Sequence, residues 1–129
     1  MSSPAVLLDT HALIWWAADP HALSETVRRL LNDDDTRVCV SAASAWEIAT
    51  KVRLRKLEWP GDETVESYCT KQGFALLPVT FAHAAHAGAW PHAHGDPFDR
   101  MLAAQSHLEH LPIATNDPQI AAFGVEIVW

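Results

Sequence analysis

Asp9, Glu47, Asp96, Asp99 and Asp117 are the residues of this 129-residue chain whose types and places could do chemistry. Asp9 ends the apolar run Ala5-Val6-Leu7-Leu8, and Asp117 closes Ile113-Ala114-Thr115-Asn116. Asp96 and Asp99 flank Pro97-Phe98 at the start of one helical pattern, and Glu47 lies about one turn into another. Two carboxylates ~4 Å apart repel by about 4 kcal/mol at an effective dielectric of 20. One of them then keeps a proton, or a cation sits between them. All-oxygen ligands favour a hard ion, Mg2+ or Mn2+. A cation held this way polarises a phosphoryl oxygen and lowers the pKa of a bound water, the chemistry of phosphodiester hydrolysis. Each residue also has a plainer reading. Asp9, Asp96 and Asp117 suit helix caps, while Glu47 and Asp99 suit ion pairs with Lys51 and Arg100. Asp9 taken alone is evenly balanced between the two, and convergence of all five on one edge is what favours a site.

The elements that must position these groups can be read in order. Ala5–Asp9 is a strand without polar interruption, as in parallel sheets covered on both faces. In such sheets ligands bind beyond the carboxyl ends of the strands. Thr10–Ala17 is a short helix broken by Asp19-Pro20, and Ser24 caps a second helix. Arg37–Ser41 is the second strand. Ser41 or Ser44 caps the third helix, Ser44 and Glu47 having capping-box spacing. On a wheel, Ala42, Ala45, Trp46, Ala49 and Val52 share one face, with Ser44, Glu47 and Lys51 opposite, so Trp46 reads as core. The basic tail Lys51-Val52-Arg53-Leu54-Arg55-Lys56 suits that helix's C-terminal dipole. Asp62 caps a helix to about Gln72, stopped by Gly73, and Phe74–Val79 is a third strand. Thr80 caps the next helix, to about Gly88, and Ala89–Pro97 is a loop. Phe98–His110 is a helix turning Phe98, Met101, Leu102 and Leu108 to the core. Pro112–Thr115, Pro118–Phe123 and Val125–Val128 are strand, helix and strand. Strands alternating with helices give a single α/β domain, residues 1–129, with a mainly parallel sheet.

Composition narrows the partners. Hydrophobic residues make up 49% of the chain, enough for a real core, which argues against disorder. No apolar stretch approaches the roughly 20 residues that cross a bilayer. Met1-Ser2-Ser3-Pro4 carries no basic region of the kind that opens a signal peptide. Cys39 and Cys69 read as reduced core residues, which points to the cytoplasm. The net charge of −7 opposes a broad basic nucleic-acid surface. It suits a local carboxylate–metal site and a basic protein partner.

Four stretches carry a resemblance. They are Leu7-Leu8-Asp9-Thr10-His11-Ala12-Leu13-Ile14-Trp15, Ser41-Ala42-Ala43-Ser44-Ala45-Trp46-Glu47-Ile48-Ala49-Thr50-Lys51, Asp96-Pro97-Phe98-Asp99-Arg100-Met101-Leu102-Ala103-Ala104-Gln105 and Thr115-Asn116-Asp117. Together, in this order, they resemble a PIN-domain nuclease, and more narrowly a VapC-type toxin of a bacterial toxin–antitoxin pair. The resemblance implies a three-layer α/β/α fold around a five-stranded sheet in the order 3-2-1-4-5. It implies Mg2+-dependent endoribonuclease activity, a cognate antitoxin that inhibits it, and a homodimer. It places the family's acidic residues on Asp9, Glu47, Asp99 and Asp117, with Asp96 as a neighbouring carboxylate or cap. Pro118 follows Asp117 where the family often has a more polar residue, so a water-mediated role for Asp117 belongs to the expectation.

On this reading Lys51 and Arg100 are candidates for phosphate contact, and the hydroxyls of Thr10 and Thr115 for orienting ligands or water, with capping as the other role for Thr10. Eight histidines invite a zinc reading, but zinc needs three or four to converge. His83, His86, His92 and His94 fit better at the cleft mouth or on the surface, with His92 or His94 placed to touch substrate. Trp15, Trp16 and Trp90 are candidates for partner contact, with core the better assignment for at least one of the first two. Two other classes compete. A phosphatase of the haloacid-dehalogenase type needs a second aspartate where this chain has His11, and a receiver domain needs a phospho-accepting aspartate where strand three ends in Pro78-Val79-Thr80. A non-catalytic binding module on the same fold is the other alternative, and the retained carboxylates argue against it.

Overall fold

The computed structural model describes residues 4–129, so the reading of Met1–Ser3 as lacking a signal-peptide start lies outside the described residues. Five strands form one sheet: β1 (Ala5–Leu8), β2 (Arg37–Ser41), β3 (Ala75–Leu77), β4 (Ile113–Ala114) and β5 (Ile127–Val128). Their order is β3-β2-β1-β4-β5 and every pairing is parallel. Leu7 is in register with Cys39 and Ile113 at the centre. Side chains alternate across a strand, and the core divides accordingly. Val6, Leu8, Val38 and Val40 pack on one face, and Leu7, Cys39, Ile113 and Leu102 on the other. Each fully buried Leu or Ile contributes about 1.5–3 kcal/mol, so β1, buried on both sides, is the anchor of the sheet. Both cysteines are free and buried, and burial pushes the Cys69 thiol up to about 11.

The helices are α1 (Thr10–Ala18), α2 (Glu25–Asn32), α3 (Ala42–Arg53), α4 (Val65–Lys71), α5 (Phe81–Ala89), α6 (Pro97–Glu109) and α7 (Pro118–Ala121). Ser24, Ser41, Thr80 and Asp96 cap α2, α3, α5 and α6 through side-chain oxygens. The helix expected from Asp62 begins later: Thr64 Oγ1 accepts from Ser67 N at 3.1 Å and starts α4. The reason is upstream, where the Trp59 indole donates to Glu63 O at 3.0 Å and holds that residue in the loop. Gly73, at φ +77°, ends α4 in the left-handed conformation that glycine adopts without steric cost.

The third helix corrects the wheel reading. Ser44, Glu47 and Ile48 are buried, whereas Trp46 is 57% and Val52 41% exposed. Trp46 is therefore a surface residue, its ring set edge-on to Phe98 at 4.7 Å. Periodicity defined two faces correctly, but α3 covers the polar carboxyl edge of the sheet and turns its hydroxyl and carboxylate inward. The Ser44–Glu47 capping box does not form, because Ser41 is the N-cap and Ser44 lies within the helix; Thr10 donates to Ser44 Oγ and Glu47 pairs with Lys51. In α6 the buried residues are Leu102, Ala103, Ala104, Gln105 and Ser106, and Leu108 is exposed. His83, expected near the surface or cleft mouth, is 1% exposed. Its Nδ1 accepts from Thr80 N, and its Nε2 lies 2.7 Å from Glu109 Oε1.

Candidate active site

The carboxyl edge of the sheet opens into a cleft of about 160 Å³ lined by Asp9, Thr10, His11, Glu47, Lys51, Asp96, Asp99, Asp117 and Ile120. The five carboxylates singled out by the sequence thus share one volume. They arrive from the ends of β1 and β4 and from α3 and α6. Three of them reach it because they are caps. Asp9 Oδ1 accepts from Ala12 N at 2.6 Å, Asp96 Oδ1 from Phe98 N and Asp99 N, and Asp117 Oδ1 from Gln119 N. A cap needs one oxygen and leaves the carboxylate beside the positive end of the helix dipole. Capping and site formation, which competed at the level of sequence, are here one arrangement.

The two remaining acids are held by cations or potential cations. Lys51 Nζ donates to Glu47 Oε2 at 2.5 Å, and His94 Nε2 lies 2.8 Å from Asp99 Oδ2. The expected Asp99–Arg100 pair does not form. Arg100 turns away and donates to four backbone carbonyls, those of Ala87, Trp90, His92 and His94. The guanidinium thereby braces the loop between α5 and α6 and is not directed at a phosphate. Thr10 gives its hydroxyl proton to Ser44 at 3.1 Å, tying α1 to α3. Thr115 Oγ1 accepts from Asp117 N at 3.0 Å, and the same hydroxyl acts to lower the pKa of Asp9, so one residue bears on two of the acids.

The electrostatics record this convergence. Burial raises the pKa of Asp9, opposed by the Thr115 and Ala12 hydrogen bonds and by His11, with Asp99 adding to the rise. Asp99 is also raised, first by burial and then by the charges of Asp96, Asp117 and Glu47, against the hydrogen bond from His94. Lys51 is raised chiefly by its bond to Glu47, with Asp96 and Asp99 contributing. A cation is what such a group of oxygens suits. Among the described residues, however, no three His, Cys, Asp or Glu groups stand as a closed metal site. The carboxylates are engaged by Lys51, His94 and the helix amides, and a metal would displace Lys51 from Glu47.

His94 and the bracing role of Arg100 were not legible in spacing. Their loop has no periodicity, and only its position before Asp96 hinted at His94. Phe123 completes the support. Trp90 lies edge-on to it at 5.1 Å and His92 is stacked on it at 4.2 Å, which joins the loop to the chain after α7.

The chain has relatives among known proteins. The chain is 29% identical over 106 residues to ribonuclease VapC22 of Mycobacterium tuberculosis, a match covering 81% of this chain and 80% of the relative. In fold it is similar to the VapBC2 structure from Rickettsia felis bound to a promoter DNA fragment, with a TM-score of 0.67, 12% identity and 97% of each chain covered. It is also similar to a toxin–antitoxin complex from Klebsiella pneumoniae, with a TM-score of 0.60, 15% identity, and 91% and 90% of the two chains covered. The PIN domain model matches residues 6–126, which runs from within β1 to beyond α7 and takes in the whole cleft, and the chain belongs to the PIN domain family.

Proposed function

We propose that the chain is the toxin of a toxin–antitoxin pair, an endoribonuclease that hydrolyses RNA phosphodiester bonds with Mg2+, or Mn2+ in its place. The observation that carries this is the convergence of Asp9, Glu47, Asp96, Asp99 and Asp117 in one cleft, where burial and then the charges of Asp96, Asp117 and Glu47 raise the pKa of Asp99. Asp9, Glu47 and Asp99 would hold the metal, with Asp117 in support through water and Asp96 as cap and neighbouring charge. When bound, the cation supplies charge neutralisation at the phosphoryl oxygen and a lowered pKa for the attacking water.

The chain's own residues do the rest. Thr115 keeps Asp9 and Asp117 in register, and His94 fixes the orientation of Asp99. Lys51, released from Glu47, presents its ammonium at the cleft to the phosphate. Helix α1, tied through Thr10 to α3, keeps Asp9 and Glu47 at a fixed separation. The proposed partners are a cognate antitoxin and a second copy of the chain, with the cytoplasm as the compartment. For a partner the chain offers an apolar groove between α3, α4 and β3, lined by Ala42, Ala45, Val65, Cys69, Leu76 and Leu77. The outward Trp46 and Phe81 are further exposed aromatic groups.

The test is cleavage of cellular RNA by the purified chain with Mg2+, with EDTA, and after Asp9→Asn. The proposal expects cleavage with Mg2+ only and a loss of about a hundredfold or more in the variant. An Asp9→Asn protein that cuts as the parent does would show that the reaction lies elsewhere.

A further inference from the structure

Most basic side chains of this acidic protein are already engaged. Arg29 pairs with Glu25, Lys51 with Glu47 and Lys71 with Glu63, while Arg28 and Arg100 donate to backbone carbonyls. Among the described residues Arg37, Arg53, Arg55 and Lys56 have no ion-pair or side-chain hydrogen-bond partner. Three of these four follow directly on Lys51, the one basic residue with an amino group in the cleft lining.

The backbone explains why they gather. Lys56 N donates back to Lys51 O at 2.8 Å and Arg55 N to Val52 O at 3.0 Å, so the chain folds over the last turn of α3. Arg55 takes a left-handed φ of +57° to do so. The result is an open depression of about 660 Å³ lined by Val52, Arg55, Lys56, Leu57, Glu58 and Trp59. Trp59 is fixed there by its indole bond to Glu63 O and by an edge-on contact with Tyr68 at 5.4 Å. Helix α3 connects the two hollows: from Glu47 to Arg53, its last residue, is about 9 Å along its axis at 1.5 Å per residue. The formal charge of −7 repels a polyanion over much of the surface. Unpaired guanidinium and ammonium groups at the C-terminal end of α3, the helix whose Glu47 and Lys51 line the cleft, therefore mark a favourable approach for one. Arg offers a fork for phosphate oxygens, and an aromatic ring accepts an unstacked base.

We propose that Arg53, Arg55 and Lys56, with Trp59, form a phosphate-binding track that holds the single-stranded RNA flanking the scissile bond. This rests on the ribonuclease reading above. An acidic protein segment is the competing occupant.

The experiment measures binding of a fluorescein-labelled single-stranded RNA to the Asp9→Asn chain by anisotropy across a KCl series, with and without Arg55→Asn plus Lys56→Gln. Asn is chosen because it tolerates the left-handed backbone. Two lost phosphate contacts should flatten the log K against log salt slope by about 1.4, at about 0.7 per contact for single strands. Mg2+ binding and melting temperature, measured in the Asp9 background, should not change. An unchanged slope, while the parent chain still cleaves RNA, overturns the track and leaves the ribonuclease reading intact. Unchanged RNA binding with weakened binding of poly-glutamate also overturns the track and assigns the patch to a protein. If the parent neither binds nor cleaves RNA, both readings fall together.

Discussion

At Asp99 burial and three neighbouring charges raise the pKa, and only the His94 hydrogen bond lowers it. A carboxyl whose folded pKa lies above its unfolded value costs stability wherever the unfolded chain would be ionised. The metal-free protein should therefore lose stability as pH rises from about 4 through the raised values of Asp9 and Asp99. Mg2+, which favours the charged form, should restore it. In EDTA at neutral pH, Asp99→Asn should raise the Tm measured by calorimetry, since it removes the charge and keeps a group that can bond to His94. A fall in Tm would show that the Asp99 charge is compensated as it stands. His94→Ala should weaken Mg2+ binding by roughly 10–100-fold, the usual effect of a residue that orients a metal ligand. Unchanged affinity would make His94 a loop residue only. The carboxylates themselves were legible, because each sits at a strand end or helix start where the chain direction changes. Their partners were not. The sequence sets Asp99 next to Arg100, but adjacent helix residues do not face each other.

Among the elements, the loop from Trp90 to Asp96 depends on one side chain. Arg100 donates to four carbonyls across it and its flank, and hydrogen bonds to charged groups contribute about 1.5–3 kcal/mol each before redundancy. Arg100→Gln should cost about 3 kcal/mol, read as a lower denaturation midpoint, together with faster amide exchange in residues 90–96. A loss confined to global stability, with exchange in the loop unchanged, would contradict the bracing role. Helix α3 shows where patterning runs out. A wheel separates Trp46 and Val52 from Ser44 and Glu47 but does not say which side faces in. Hydrophobicity gives the wrong answer when the inward side lines a polar cleft.

For the whole molecule, the alternation of strands and helices was enough to give a parallel α/β sheet. The strand order came from the resemblance, and the structure has it. Oligomeric state belongs to this scale. Phe81 is 97% and Trp46 57% exposed, and large exposed aromatics mark interaction surfaces. Phe81→Asp with Trp46→Asp should convert the proposed homodimer to a monomer in light scattering while leaving the melting temperature within a few degrees. A parent chain that is already monomeric at high concentration would remove the homodimer. The proposed chemistry requires the cleft to take a divalent cation at Asp9, Glu47 and Asp99, and titration calorimetry measures that directly. Mg2+ or Mn2+ should bind the parent chain at millimolar concentration or below and fail to bind after Asp9→Asn. Absence of binding to the parent at millimolar metal, or equal binding by the variant, would contradict it.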